Sequence, residues 1–305
     1  MNETIRITFI TPCFCRGADC SPTGTPEIRP PSIRGQLHWW FRALGGTYED
    51  EKAVFGGVHG EAAASKLVLR VRSPYKPHIE SSPTLPHKSG GPASPKLAIS
   101  PGETFDLLLS TRLGGLDTRL DEAFTRTLNA WLLMGAMGLR ATRGGGNFTW
   151  EGQPSSPEEY RNAVNTVIRG SALRAALLEK DFPTAESARR DIADTLADRA
   201  FGNAAPLGKA MPSRERKTSP LRFRVVRFES RSFRILAVWD GRQTVTGNTM
   251  RDLANAIETL ATANKPIGRL LRPAAATLTQ GPRTQDPGPM IPQPAPGTGV
   301  QRPGS

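Results

Sequence analysis

Residues 27–44 read Glu27-Ile28-Arg29-Pro30-Pro31-Ser32-Ile33-Arg34-Gly35-Gln36-Leu37-His38-Trp39-Trp40-Phe41-Arg42-Ala43-Leu44. Proline lacks a backbone donor and has a fixed φ, so Pro30-Pro31 is expected to hold the chain extended up to Ser32, a good helix N-cap. Beyond it Ile33, Leu37, Trp40, Phe41 and Leu44 recur at helical spacing until Gly45-Gly46 stops the run. Upstream, residues 4–10 alternate polar and apolar with many β-branched side chains, the pattern of a half-buried strand. Thr11-Pro12 ends that strand, and a glycine- and proline-bearing loop runs to Pro31.

Downstream, residues 66–72 and 104–111 read as two further strands. Between them Ser73 to Pro95 is rich in Pro and Ser without periodicity, and a long exposed loop is expected. Arg119 to Met137 reads as a long helix with Leu120, Phe124, Leu128, Trp131, Leu132 and Gly135 on one side, and a last strand is expected after Gly146. This order over residues 1–150, with an insertion near 73–97, suits a ferredoxin-like α+β sandwich, the architecture of RNA-recognition motifs. Residues 151–265 repeat the theme faintly. A helix is expected over Ala185 to Phe201, a hairpin from strands 221–228 and 232–239, and a helix from Asn248 to about Ala263. From Gln280 onward 12 of 26 residues are Pro or Gly, so residues 266–305 are expected to be a mostly disordered tail. The fold class is α+β with two ferredoxin-like domains.

The chain has 305 residues, with 40 Lys plus Arg against 28 Asp plus Glu, a formal charge of +12. Such a surplus seeks a polyanion, most often nucleic acid. The most apolar stretch, Leu128 to Leu139, has 12 residues with Asn129 among them, short of the ~20 that span a bilayer. No export signal opens the chain, so a cytoplasmic location without a membrane partner is expected. Cys13, Cys15 and Cys20 could offer three zinc ligands, but no second pair completes a site. They read as packed, reduced thiols, and neither a metal nor a cofactor is expected.

Three segments carry the charge. The first is the helix of residues 32–44, where exposed backbone N–H groups and Arg34 form a phosphate cradle. Arg34, His38 and Arg42 fall at i, i+4 and i+8 and make one stripe. A solvated face over an aromatic core is the plainer alternative. The second is Gly138 to Asn147, in which Gly144, Gly145 and Gly146 would let a backbone approach phosphates between Arg140 and Arg143. A flexible linker is the alternative there. No Gly-Lys-Ser/Thr follows, and the glycines come after a helix, so neither a Walker loop nor a dinucleotide fingerprint is present. The third, Leu207 to Ile235, holds nine basic residues, among them Arg216, Lys217, Arg222 and Arg224, and two acidic ones. Arg222 and Arg224 are expected on one strand face and Phe223 and Val225 on the other, giving a backbone-tracking surface or a charge-blunted edge.

Ile10-Thr11-Pro12 with Ala18-Asp19, then Arg29-Pro30-Pro31-Ser32-Ile33-Arg34-Gly35-Gln36-Leu37 and Trp39-Trp40-Phe41-Arg42-Ala43-Leu44, resemble the RAMP proteins of CRISPR–Cas systems. The combination is most similar to the first-numbered RAMP subunit of type III-B (Cmr) effector complexes. Val54-Phe55-Gly56 is similar to that family's Phe-Gly element, Leu139 to Gly146 to its glycine-rich loop, and Arg216 to Leu221 to an element opening strands of its second domain. The resemblance is specific over residues 1–60 and 135–150, thinner over 200–265, and absent from 73–97 and the tail. It implies two ferredoxin-like domains and an antiviral ribonucleoprotein with other RAMP subunits. There the chain would hold the 3′ region of a CRISPR guide RNA against complementary target RNA. The residues expected to bind RNA are Arg29, Ser32, Arg34, Gly35, His38, Arg42, Arg140, Arg143, Gly144, Gly145, Gly146, Arg216, Lys217, Arg222 and Arg224. His38 stands where the resemblance would place another basic residue.

Some RAMP proteins cut RNA, and an enzyme reading has two candidate residues. Metal-independent cleavage needs a base and an acid. Of His38, His59, His78 and His87, only His38 lies on a predicted element. Slicing RAMP subunits carry an aspartate in the loop after their first strand, where Asp19 lies here. One carboxylate holds a divalent ion only with donors from elsewhere. The expectation is a binder without catalytic residues. An adaptor with no RNA contact is the third reading, and the clustering of positive charge argues against it.

Overall fold

Alternation decides the first strand. In β1 (Asn2–Phe9) Ile7 and Phe9 are buried while Glu3, Thr4 and Arg6 are exposed or half-buried. The computed structural model describes residues 2–17, 19, 24–58, 60–73, 75–86, 95–112, 114–197 and 221–242. After β1 come α1 (Pro30–Ala43), α2 (Tyr48–Phe55), β2 (Leu67–Arg72), β3 (Ile79–Pro83), β4 (Pro95–Ile99), β5 (Thr104–Thr111), α3 (Thr118–Met134) and β6 (Phe148–Trp150). Then follow α4 (Pro157–Ile168), β7 (Leu173–Leu177), α5 (Ala185–Ala197), β8 (Arg222–Arg227) and β9 (Phe233–Asp240).

The first sheet is antiparallel in the order β2-β5-β1-β6. Its inner face, with Ile7, Phe9, Leu69, Phe105, Leu107 and Leu109, packs on α1 through Ile33, Leu37, Trp40 and Phe41. Phe124, Leu128 and Trp131 of α3 close the same core. Each such side chain contributes about 1.5–3 kcal/mol by leaving water. Asp117 rather than Arg119 sets the start of α3, its side chain accepting from the Leu120 amide at 2.8 Å.

The second sheet is antiparallel in the order β7-β9-β8, and it is covered on both faces. Phe223, Val225, Ile235 and Ala237 pack with Ala188 and Ile192 of α5. Val226, Leu236 and Val238 join the first core beside Tyr160 and Val164 of α4. The molecule is thus a mixed α+β fold built on antiparallel sheets.

Several expectations are corrected. Arg29, not Ser32, is the N-cap of α1, because a proline's fixed φ already suits the first helical turn and Pro30-Pro31 begin the helix rather than delay it. The stretch 73–95 is not a structureless loop: β3 and β4 pair in antiparallel register from Ile79↔Ile99 to Pro83↔Pro95. Reciprocal bonds between Cys13 and Ile99 at 3.0 Å tie that ribbon to the chain leaving β1. The helices α2 and α4 and strand β7 were not expected at all. Among the described residues no helix is long and apolar enough to cross a membrane. Arg216, Lys217, Cys20, His59, His87, the helix expected over 248–263 and the tail lie outside the described residues.

Candidate nucleic-acid interface

The loop after α3 is where the two sheets meet. The Gly146 amide donates to Pro12 O at 2.9 Å, Gly145 to Arg140 O at 3.0 Å, and Gly144 to Phe223 O at 3.2 Å. Phe223 answers with a 3.1 Å bond to Thr142 O, so the loop pairs with the edge of β8. Gly146 has φ +59, and a Cβ there would stand 1.9 Å from Met137 O. Asn147, fully buried, accepts from the Val225 amide at 2.9 Å through its side chain. The glycines therefore allow backbone to approach backbone. The expectation that their amides face a phosphate strand is corrected, since all three donate within the fold.

The basic residues beside this loop gather instead. Burial pushes the Arg143 guanidinium down to about 10, and the charge of Arg140 adds to the effect. Arg189, almost wholly buried on α5, is also lowered, by burial first, with Arg140 again opposing it and Glu186 at 3.2 Å offsetting part. Its guanidinium lies 5.4 Å from the centre of the Phe14 ring and donates to Pro83 O at 2.7 Å. Phe14 also lines a cleft of about 380 Å³ with Cys15, Arg16, Gly24, Lys96, Leu97 and Leu139. Leu97 and Leu139 are exposed although large and apolar. The basic residues Arg16 and Lys96 in a cleft with aromatic and aliphatic walls suit a phosphate chain whose bases have apolar surface to cover.

Residues 6–149, from β1 to β6, match the model of the RAMP superfamily. This half is RAMP-like. One relative is the Pyrococcus furiosus protein named CRISPR system Cmr subunit Cmr1-1, 29% identical over 142 residues that cover 40% of each chain. Another is that organism's Cmr subunit Cmr1-2, 39% identical over 62 residues, 17% of this chain and 32% of the relative. The match thus spans less than half the length of these curated relatives. Among solved structures, Cmr1 from Pyrococcus furiosus in its apo form has a TM-score of 0.52 at 18% identity, covering 79% of this chain and 89% of that one. A chain of a type III-B Cmr-beta complex bound to cognate target RNA has a TM-score of 0.50 at 10% identity, covering 90% of this chain and 100% of that one. At such identities the likeness is one of fold.

Within this RAMP-like half α1 is engaged more fully than its sequence suggests. Arg34 donates to Phe55 O at 3.3 Å, Ser65 Oγ at 2.8 Å and Leu67 O at 3.0 Å, fastening the helix to the start of β2. Burial, then Arg112, lowers its pKa. His38 Nδ1 lies 2.5 Å from Glu51 Oε1, its ring 4.3 Å from that of Phe55, and Arg42 Nε lies 3.7 Å from Glu51 Oε2. A buried carboxylate on α2 thereby offsets the charge of the stripe. Arg29 donates to Gly17 O at 3.4 Å, and Ser32 and Gly35 are exposed.

In the second half, Arg222 stacks on Trp39 with 3.7 Å between guanidinium carbon and ring centre, and burial pushes it down to about 10. Arg224 is not on a solvent-facing strand surface as expected, because α4 and the first half cover that face of β8. Cys13 and Cys15 are buried, Cys13 Sγ lying 3.8 Å from Met137 O, and Asp19 is exposed beside Gly24. Sequence reasoning missed Phe14, Arg16, Lys96, Leu97, Leu139 and Arg189, whose convergence depends on contacts remote in the chain.

Proposed function

We propose that this chain is an RNA-binding, non-catalytic subunit of a type III-B CRISPR effector ribonucleoprotein, holding the 3′ region of a guide RNA and its paired target among other RAMP subunits. The observation that carries this reading is the Phe14 cleft of a RAMP-like half, where the basic residues Arg16 and Lys96 stand among apolar walls and Leu139 leads directly into the loop of Arg140 and Arg143. The curated relatives are named as Cmr subunits, and one solved structure of the same fold belongs to a Cmr complex with target RNA. Sequence would then be read by base pairing, and the protein would grip backbone.

We read both halves as ferredoxin-like. With the β3–β4 ribbon set aside as an insertion, the first sheet has the β-α-β-β-α-β connectivity and its strands fall in the order 2-3-1-4. In the second, β7, β8 and β9 take the places of strands 1, 2 and 3, with α5 crossing between the first two. A binder is favoured over a nuclease because His38, the histidine placed on a helix, is engaged by Glu51 and Phe55.

The test is binding of the purified chain to single-stranded RNA over a salt series. The log affinity is expected to fall by about 0.7 per unit of log salt for each phosphate contacted. A flat series, or failure to co-purify with a small RNA and sister subunits, would overturn the reading.

A further inference from the structure

The RAMP-like half turns one sheet face to its helices and shows the other to solvent. Register places Thr4, Arg6 and Thr8 of β1, Thr104, Asp106, Leu108 and Ser110 of β5, and Val68, Arg70 and Arg72 of β2 on that outer face. All are exposed or half-buried except Asp106. Its carboxylate accepts from Arg6 Nε at 3.1 Å through one oxygen and from Arg72 Nη2 at 2.9 Å through the other. The two arginine side chains stay 56% and 64% exposed while that of Asp106 is 7% exposed. One carboxylate thus aims two guanidinium forks outward, and Arg70 stands beside them on β2.

We propose that this face is a second backbone-binding surface for single-stranded RNA, with Asp106 as the residue that positions Arg6 and Arg72. The proposal rests on the RNA-binding reading above only for the nature of the polyanion. Three arginines against Asp106 and, at the edge, Glu151 at 3.8 Å from Arg6 leave the face positive. Its neutral side chains are mostly hydroxyls, suited to phosphate and ribose oxygens. Stable protein interfaces bury an apolar centre, whereas nucleic-acid interfaces are polar and basic. Here the apolar members are only Leu108 and Val68, both already half-buried. Guanidinium groups fixed before binding also lose less freedom on meeting a phosphate.

Fluorescence anisotropy of the full chain with labelled oligouridine tests this, with thermal melts confirming that each variant is folded. Arg70→Gln and Arg72→Gln are each expected to lower the salt slope by about 0.7, so that the loss of affinity relative to the natural chain is about fivefold greater at 0.1 M than at 1 M salt. Asp106→Asn removes a negative charge, so a diffuse electrostatic patch would bind more tightly. Loss of positioning instead predicts weaker binding, and tighter binding would overturn the role of Asp106. Arg143→Gln, in the loop cluster, separates this idea from the one before it. If it weakens binding while Arg70→Gln and Arg72→Gln do not, the outer face is refuted and the cleft stands. If none of the three matters, both readings fall. Intact RNA binding with loss of a co-purifying protein would assign the face to an acidic partner and overturn the proposal.

Discussion

Arg224 donates from Nη1 to the carbonyl oxygen of Gly135, 89 positions earlier in the chain, at 2.6 Å. Its other terminal nitrogen reaches Phe148 O at 2.6 Å, and the guanidinium lies 4.7 Å from the centre of the Phe148 ring. Gly135 is the C-cap of α3, where unpaired carbonyls and the negative end of the helix dipole collect. A helix end thereby takes the part a carboxylate usually plays for a buried cation. Burial lowers the Arg224 pKa, but an arginine keeps its proton. Arg224→Met is expected to leave both carbonyls without this donor and cost about 3 kcal/mol, read as a lower urea midpoint. Arg224→Lys should restore less than half, because a point charge cannot fork to two acceptors. An unchanged midpoint in Arg224→Met would show that the two halves are joined by other contacts.

Glycines separate structural from binding roles. Gly146→Ala would force a side chain at φ +59 into Met137 O, and insoluble or unfolded protein is expected. Gly35, in α1, has nothing within 4 Å of a built Cβ. Gly35→Ala should therefore stabilise the protein by about 0.5–1 kcal/mol through helix propensity. If it also weakens RNA binding, a strand passes close to α1 and the binding surface extends there.

Much of the first half was legible because periodicity is local. Thr104–Thr111 is a short apolar-rich run bounded by polar residues, and Ile33, Leu37, Trp40 and Phe41 mark one helix face, so β5 and α1 follow directly. The helix α4 had its own signal, unused: Ser156 and Glu159 form a capping box after Ser155. The destination of arginines was not legible. Arg222 and Arg224 alternate as a solvent-facing strand would, yet a sheet covered on both faces buries Arg224. The glycine run carried a similar ambiguity, since permissive backbone serves a phosphate or another strand equally, and only the loop's pairing with Phe223 decides.

Arg34 and Arg143, both expected to hold phosphate, should behave differently. Arg34 has three acceptors inside the first half, so Arg34→Ala is expected to cost about 2 kcal/mol of stability. Its effect on RNA affinity should be small at temperatures where the variant stays folded. Arg143→Gln should weaken RNA binding by a similar factor for every sequence, because a backbone contact positions without specifying bases. A shift in sequence preference with unchanged overall affinity would contradict that role.

Asp106 gives the fold a defined acid sensitivity. Arg72 first, then Arg6, hold its carboxyl below the usual carboxylate value of 3.8. A group whose folded pKa is depressed contributes fully above its unfolded value, about 4, and the contribution disappears as pH falls through the lower folded value. The difference in Tm between the natural chain and Asp106→Asn is therefore expected to be constant from about pH 5 to 7 and to close as the pH falls below the ordinary carboxylate value. The same series with Arg70→Gln should show no such closing, since Arg70 lies opposite Leu108 and not Asp106. A gap for Asp106→Asn that persists unchanged at acid pH would mean that the substitution acts through packing, and that the two guanidinium groups do not depend on the carboxylate for their place.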